Sequence, residues 1–249
     1  MTTRATFRIW RGGGERAGAF VDYATPISEG MVVLDAVHRI QADQAPDLAC
    51  RWNCKAGKCG SCSAEINGRP RLMCMTRLNT LDLDQPVTVE PMRAFPLLKD
   101  LVTDVSVNFR IKPRIARFAP RPPDAPDGTW RMSQRDVDRV QEFRKCIECF
   151  LCQDVCHVIR DHGKHEQGFI GPRYLVYTAA LEMHPLDTGD RLRDLKDRDA
   201  IGYCNITKCC TTVCPEHIHI TDNAIIPLKE RVVDRFYDPV TRLLRMIRS

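Results

Sequence analysis

The sequence predicts an α+β protein in which a small β-rich domain precedes a helical domain. Residues 1–92 are predicted to be mostly strand, because several segments there alternate apolar and polar residues, as expected of half-buried strands. From about residue 96 the apolar residues recur mostly at helical spacing. A linker rich in proline follows this change and contains Pro113, Pro120, Pro122, Pro123 and Pro126.

The N-terminal elements can be assigned in chain order. TFRIW (6–10) and FVDYAT (20–25) flank a glycine-rich turn and predict a hairpin. The segment 31–43 has its apolar residues at helical spacing, and Ser28 and Glu29 ahead of it are candidate cap residues. A cysteine-rich loop, a turn at Asn67-Gly68 and a late strand VTVEPM (87–92) complete this half.

The C-terminal half contains several helical patterns. LLKDLVTDVSVNF (97–109) predicts a helix, and the patterns continue in SQRDVDRVQEFRKC, PRYLVYTAALEM and TDNAIIPLKERVVDRF. The basic, amphipathic end VTRLLRMIRS could lie on lipid or on a partner, or form an ordinary surface helix. The sequence contains no run of 18 uncharged apolar residues, so it predicts no membrane-spanning helix. The N-terminus lacks the apolar core of a signal peptide, so we expect the chain to stay in the compartment that makes it or to enter an organelle by a separate presequence.

Thirteen cysteines are the most informative part of the composition. Their number is odd, and a reducing compartment keeps thiols from pairing, so metal ligation is the best interpretation. The net charge of +5, from 37 basic and 32 acidic residues, is too small for a nucleic-acid-binding surface.

The first cysteine group predicts a 2Fe–2S cluster. Four cysteines follow the plant-type ferredoxin spacing C-x4-C-x2-C…C: Cys54, Cys59, Cys62 and Cys74. Gly57 and Gly60 allow backbone N–H groups to approach the sulfides closely. A zinc site is the alternative, but zinc sites usually pair two short Cys-x-x-Cys knuckles, so this spacing fits poorly.

The second group has the spacing of a bacterial ferredoxin. Its first run contains Cys146, Cys149, Cys152 and Cys156. In such proteins the fourth cysteine of a run ligates the other cluster, so a second run is expected. That run contains Cys204, Cys210 and Cys214, followed by Pro215. It is incomplete, because the position three residues after Cys204 is Thr207.

Crosswise ligation then assigns the cluster types. A complete set of four thiolates predicts a 4Fe–4S cluster: Cys146, Cys149, Cys152 and Cys214. Three thiolates remain and predict a 3Fe–4S cluster: Cys156, Cys204 and Cys210. A 4Fe–4S cluster with a non-cysteine ligand, or with Cys209, is the alternative at this site. We expect Cys50 and Cys209 to serve as small apolar packing residues.

The chain resembles the iron–sulfur subunit of succinate dehydrogenase and fumarate reductase over nearly its whole length. The resemblance rests on CKAGKCGSC with Cys74, CIECFLCQDVC, FIGPRYL (169–175) and CNITKCCTTVCP. It implies a β-grasp, plant-type ferredoxin domain over residues 1–103. It also implies an all-helical, bacterial-type ferredoxin domain over residues 104–249.

The resemblance implies an electron-transfer role within a succinate:quinone oxidoreductase of the respiratory chain. Electrons would pass from the covalent FAD of a flavoprotein subunit through the 2Fe–2S, 4Fe–4S and 3Fe–4S clusters to quinone at a membrane-anchor subunit. The chain itself would carry no catalytic residue. It would be peripheral, on the cytoplasmic face of a bacterial plasma membrane or the matrix face of a mitochondrial inner membrane. A subunit of another flavoprotein or heterodisulfide-type reductase, and a structural zinc protein, are the alternatives.

The chain departs from this family near the predicted 3Fe–4S site. His157 follows Cys156 where the family usually has proline, no tryptophan occurs between Cys156 and Phe169, and Asn205 replaces a family histidine. Three histidines fall nearby instead: His157, His162 and His165. They could handle protons or bind a further metal, although a solvated loop is the simpler interpretation. We therefore expect quinone to be reduced mainly at a site built from anchor subunits.

Overall fold

The computed structural model of the protein describes residues 3–13, 16–163 and 168–240. The chain forms two compact units. The first unit comprises Met1–Ser106, Ile147–Val155 and Val213–Pro215. The second unit comprises Val107–Cys146, Cys156–Thr212 and Glu216–Ser249. His165 and the basic segment 241–249 lie outside the described residues.

A five-stranded mixed sheet organises the first unit. Its strands are β1 (Thr3–Gly13), β2 (Arg16–Ile27), β3 (Ser63–Ile66), β4 (Arg69–Leu72) and β5 (Val87–Glu90). Their spatial order is β2-β1-β5-β3-β4. β1 and β5 run parallel, whereas the other neighbouring pairs are antiparallel. The predicted hairpin and the predicted late strand are both confirmed.

The core of the first unit lies between this sheet and α1 (Val33–Asp43). Phe7 on β1 is paired with Val87 on β5, and both side chains are fully buried. α1 buries the apolar residues that its spacing predicted: Val33, Ala36, Val37 and Ile40. The predicted turn is also confirmed, because Asn67 and Gly68 have φ values of 49° and 70°, as a type I′ hairpin turn requires.

The predicted cap residues of α1 are wrong. The helix begins after Val32, whose backbone N–H donates to the Asp35 carboxylate at 3.0 Å. The N–H groups of Val33 and Leu34 donate to carbonyl oxygens of the segment 73–76, at 2.9 and 3.1 Å. Tertiary hydrogen bonds thus satisfy the first donors of the helix, and Ser28 and Glu29 are not needed as caps.

The helix predicted over residues 97–109 is also mostly wrong. That stretch forms β6 (Leu97–Lys99) and β7 (Val102–Thr103), and only α2 (Ser106–Ile111) is helical. Asp100 has a φ of 49°, which a right-handed helix excludes. Its buried carboxylate accepts hydrogen bonds from Gly12 N (3.0 Å) and Ala49 N (2.8 Å). These contacts between distant segments outweigh the local helical pattern.

Helices and loops form most of the second unit. Its α-helices after α2 are α3 (Gln134–Gln141), α5 (His157–Arg160), α6 (Gly171–Glu182), α7 (Leu192–Asp197), α8 (Cys209–Thr212) and α9 (Ile226–Phe236). A 3₁₀ turn at Glu142–Lys145 extends α3, and a π-helical segment at Ile220–Ile225 precedes α9. The three helices predicted after the proline-rich stretch are therefore confirmed. α4 (Leu151–Asp154) belongs to the first unit.

The proline-rich stretch is anchored to the second unit. The fully buried Arg191 donates to the carbonyl oxygens of Ala116 and Arg117, both at 2.8 Å, and to the Asp187 carboxylate at 2.8 Å. Pro120 forms a β-bridge with Asp187. The linker interpretation therefore misses these contacts. Within the described part of the chain, no helix is both long and apolar enough to span a membrane.

Candidate metal centres

The loop between α1 and β3 carries the first three cysteines of the first group, and the fourth, Cys74, follows β4. Cys54 is exposed, Cys59 is half-buried, and Cys62 and Cys74 are buried. The backbone N–H of Cys74 donates to Cys62 Sγ at 3.4 Å. The structure thus brings the most distant cysteine in sequence against the loop, as the ferredoxin spacing requires.

The backbone of this loop is shaped to surround an anion. Lys55, Gly57 and Gly60 adopt left-handed φ values of 53°, 67° and 68°. Such residues turn successive N–H groups toward one side of the chain and form an anion-binding concavity. Two of these N–H groups, of Ala56 and Lys58, donate to Cys54 Sγ at 3.4 and 3.3 Å. The loop therefore suits a cluster of thiolates and sulfides.

The thiols of this loop differ in acidity. Burial opposes ionisation of Cys59, but hydrogen bonds from Cys54 and Ser61 outweigh it and lower its pKa to about 6. Burial raises the pKa of Cys62 to about 12, although the hydrogen bond from the Cys74 N–H opposes this rise. Cys59 is thus ready to bind as a thiolate. Cys62 needs the positive charge of a metal to lose its proton.

The first unit brings the second cysteine group against this loop. Ser63 Oγ donates to the carbonyl oxygens of Gly60 at 2.9 Å and of Cys149 at 2.8 Å. A Cβ placed on Gly60 would lie 2.5 Å from Cys149 Cα. No sequence pattern predicts this contact, because the spacing within each cysteine group does not relate one group to the other. It makes Gly60 and Ser63 structural links between two predicted metal centres.

A cavity within the second unit collects the cysteines predicted to hold the 3Fe–4S cluster. The residues that line it include Cys156, Cys204, Cys210, Cys209, Thr207, His157 and Asn205. Burial raises the pKa of Cys156 to about 12 and of Cys210 to about 11, and it also raises the pKa of Cys204. Since protonated thiols are poor ligands, a cation must offset this burial. The thiol lining fits an iron–sulfur cluster.

The two cysteine runs share a backbone pattern that their sequences hide. The second and fourth residues after Cys146 are left-handed: Glu148 (φ 55°) and Phe150 (φ 61°). The second and fourth residues after Cys204 are left-handed as well: Ile206 and Lys208, both with φ 62°. Thr207 therefore occupies the position that Cys149 occupies in the first run. A threonine cannot replace a thiolate at iron, so this run offers one ligand fewer.

The remaining predicted ligands have different environments. Cys149 and Cys152 are buried, and both belong to the first unit together with Cys214, whereas Cys146 belongs to the second unit. In the described ranges no three His, Cys, Asp or Glu side chains converge on a point that one ion could occupy. A multi-iron cluster does not need such convergence, because each terminal thiolate binds its own iron.

Residues outside the ligand sets are also placed by the structure. His157 Nε2 lies 3.0 Å from Asn205 Nδ2, and the His157 and His162 rings are 6.2 Å apart. Burial raises the pKa of Cys50 to about 12, and the Cys50 thiol donates to the Arg51 carbonyl oxygen at 3.6 Å. Cys209 also lines the cavity, and its Sγ lies 3.3 Å from Thr207 Oγ1.

Known proteins match both cysteine-rich regions. The family described as "2Fe-2S iron-sulfur cluster binding domain" matches residues 6–110, and the "4Fe-4S dicluster domain" family matches residues 142–218. The fumarate reductase iron–sulfur subunit of Mycobacterium tuberculosis is 33% identical over 208 residues, which cover 82% of each chain. The chain belongs to the iron–sulfur subunits of succinate dehydrogenase and fumarate reductase.

Two further relatives support this membership. The succinate dehydrogenase iron–sulfur subunit of Paracoccus denitrificans is 29% identical over 208 residues, covering 83% of this chain and 78% of the relative. A chain of the Mycobacterium smegmatis Sdh1 complex in the apo form is 61% identical, with a TM-score of 0.91. That match covers 96% of this chain and 100% of the other. The protein is therefore an electron-transfer subunit of an oxidoreductase complex, with a 2Fe–2S domain ahead of a 4Fe–4S dicluster domain.

Proposed function

We propose that this iron–sulfur subunit carries three clusters and relays electrons from flavin to quinone. The observation that carries the proposal is the repeated backbone of the two cysteine runs, with Thr207 where the first run has Cys149. Each bound cluster supplies one-electron redox chemistry. The chain's residues hold the clusters, set their surroundings and exclude water from them.

The 2Fe–2S cluster is assigned to Cys54, Cys59, Cys62 and Cys74. The contacts group these residues in pairs: Cys54 hydrogen-bonds to Cys59, and the Cys74 N–H donates to Cys62 Sγ. Each pair would hold one iron. The sheet is mixed, and α1 follows β2 and precedes β3 in the chain. This arrangement supports a β-grasp fold for a domain of residues 1–103.

The other two clusters are assigned to a helical, bacterial-type ferredoxin domain of residues 104–249. The last cysteine of each run there ligates the cluster of the other run. The 4Fe–4S ligands are Cys146, Cys149, Cys152 and Cys214. The 3Fe–4S ligands are Cys156, Cys204 and Cys210. Support for the second set comes from the cavity that these three cysteines line together. Support for the missing iron comes from Thr207, which offers no thiolate at the register of Cys149.

The proposed partner at the 2Fe–2S domain is a flavoprotein subunit with covalent FAD. The segment 51–62 carries three cations and no acidic residue. Trp52 and Met75 expose 49% and 57% of their surface there, and Lys55 Nζ lies 4.7 Å from the centre of the Trp52 ring. Exposed apolar groups beside a cluster loop favour coverage by a partner. An acidic surface on that partner would complement Lys55 and its neighbouring cations.

The proposed electron acceptor is quinone, reduced mainly at a site built from the anchor subunits. Asn205 cannot carry a proton as imidazole does, and it is already paired with His157. The chain would dock on those anchors as a peripheral subunit, on the cytoplasmic face in a bacterium. A structure with quinone bound against Asn205 and His157 would contradict this part of the proposal.

Electron paramagnetic resonance of the purified complex tests the cluster assignment. We expect one 2Fe–2S, one 4Fe–4S and one 3Fe–4S signal, the last in the oxidised sample. Succinate oxidation by a co-purified covalent flavoprotein tests the partner. An oxidised complex with no 3Fe–4S signal would show that the third cluster is assigned wrongly. A complex with no covalent flavin would favour a different reductase.

A further inference from the structure

A buried threonine lies beside one ligand of the proposed 3Fe–4S site. Thr221, in the first turn of the π-helical segment Ile220–Ile225, is 1% exposed, and Cys210 is 5% exposed. The Thr221 Oγ1 atom lies 3.5 Å from Cys210 Sγ, within hydrogen-bonding distance for sulfur. Insertions of π-helical turns are frequent at functional sites. This turn gives Thr221 a direct contact with a predicted ligand.

A chain of hydrogen bonds fixes the direction of this contact. The backbone N–H of Thr221 donates to Thr211 Oγ1 at 3.0 Å. The Thr211 hydroxyl in turn donates to Thr221 Oγ1 at 3.0 Å. The hydrogen of the Thr221 hydroxyl is then left for Cys210 Sγ. Because a metal-bound Cys210 is a thiolate without a proton, it can only accept this hydrogen bond.

The segment around Thr221 is anchored on both sides. The Glu142 carboxylate accepts hydrogen bonds from the backbone N–H of His219 at 2.8 Å and from Asn223 Nδ2 at 2.5 Å. These two residues flank Thr221 in the sequence. The anchoring keeps the hydroxyl at Cys210 rather than letting it rotate away with a mobile turn.

Thr221 differs from the other donors described at this site. Those donors are backbone amides, of Val158, Ile159, Ile206 and Thr211. An amide remains whatever side chain the residue carries. The Thr221 hydroxyl is a side-chain donor, so a single substitution can remove it.

We propose that Thr221, oriented by Thr211, sets the reduction potential of the cluster that Cys210 helps to hold. The inference rests on the proposed function, because it requires a cluster at Cys156, Cys204 and Cys210. A hydrogen bond to a ligand sulfur stabilises the more negative, reduced state and raises the potential. Thr221 thereby makes the cluster a better electron acceptor.

The test is a redox titration of the purified complex, followed by the electron paramagnetic resonance signal of this cluster. Thr221→Val removes the hydroxyl and keeps the shape. Because a hydrogen bond of ordinary net strength changes an equilibrium by roughly three- to tenfold, the reduction constant should fall by that factor. This equals about 30–60 mV for one electron. Thr221→Ser keeps the hydroxyl and should restore the potential.

A matched control and a second variant complete the test. Thr212→Val is on α8, the short helix that also carries Cys210 and Thr211. It removes an exposed hydroxyl that donates to Lys208 O, so the potential should not change. Thr211→Val removes the orienting hydroxyl and should lower the potential in the same direction. If the Thr221→Val protein does not assemble its cluster, the potential of Thr211→Val provides the test instead.

The outcomes separate this inference from the cluster assignment. An unchanged potential in both Thr221→Val and Thr211→Val overturns the inference, and so does an equal shift in Thr221→Ser. If the wild-type site shows a 4Fe–4S signal, the cluster type is wrong. The potential of that cluster must still fall in Thr221→Val for the inference to stand.

Discussion

Replacing Gly60 by alanine should loosen the contact between the 2Fe–2S loop and the second cysteine group. A Cβ on Gly60 would lie 2.5 Å from Cys149 Cα and 3.0 Å from Cys149 N. Carbon atoms in contact prefer about 3.5–4.0 Å, so the two segments must separate by about 1 Å. The displaced atoms are backbone, which no rotamer change can move.

The expected cost has two parts. Gly60 has a φ of 68°, and an alanine there costs about 1–2 kcal/mol in backbone strain. Overpacking against Cys149 adds about 1–3 kcal/mol. Gly68→Ala is the matched control, because Gly68 has a φ of 70° but a Cβ there meets nothing within 4 Å. The control should therefore show the strain alone.

Thermal unfolding of the purified complex measures the difference between the two variants. Electron paramagnetic resonance of the fully reduced complex should also show a weaker magnetic interaction between the 2Fe–2S and 4Fe–4S clusters in Gly60→Ala. The interaction should be unchanged in Gly68→Ala. Equal destabilisation by the two variants, with an unchanged interaction in both, would refute the close contact of Gly60 with Cys149.

Three further predictions follow from the site and the fold. Thr207→Cys restores a thiolate in register and should convert the 3Fe–4S signal to a 4Fe–4S signal; an unchanged spectrum would contradict the register. Cys214→Ser should damage the 4Fe–4S cluster, and Cys156→Ser the 3Fe–4S cluster, whereas the reverse result would show that each run closes its own cluster. Arg191→Met leaves buried Asp187 without its cation and should destabilise the protein by about 3–5 kcal/mol in thermal unfolding. A loss below about 1 kcal/mol would mean that Asp187 is satisfied without this ion pair.

Sequence patterns within a few neighbouring residues predicted the elements that short-range interactions determine. The hairpin of β1 and β2, the helix α1 and the Asn67-Gly68 turn all follow from alternation, helical spacing or turn chemistry. The stretch 97–109 was misjudged because Asp100 is held by Gly12 and Ala49, which are distant in the sequence. No short-range pattern carries that information.

The candidate site divides in the same way. Cysteine spacing predicts the ligand sets and shows that Thr207 interrupts the second run. It could not reveal that Gly60 touches Cys149, or that Thr221 reaches Cys210, because both contacts join segments that no motif relates. The shared left-handed positions of the two runs were hidden for another reason. Glu148, Phe150 and Ile206 are residue types that give no hint of such a conformation.

Those left-handed residues have a consequence for how the protein matures. Each non-glycine residue with positive φ costs about 1–2 kcal/mol, and a β-branched residue such as Ile206 is among the least suited. The two runs therefore adopt a backbone that their residue types disfavour, and we expect iron binding to supply the free energy that stabilises it. Loading the metal should then complete the folding of these loops. Limited proteolysis of the iron-depleted chain should cut first within 146–152 or 204–210, and equal protection with and without iron would argue against this coupling.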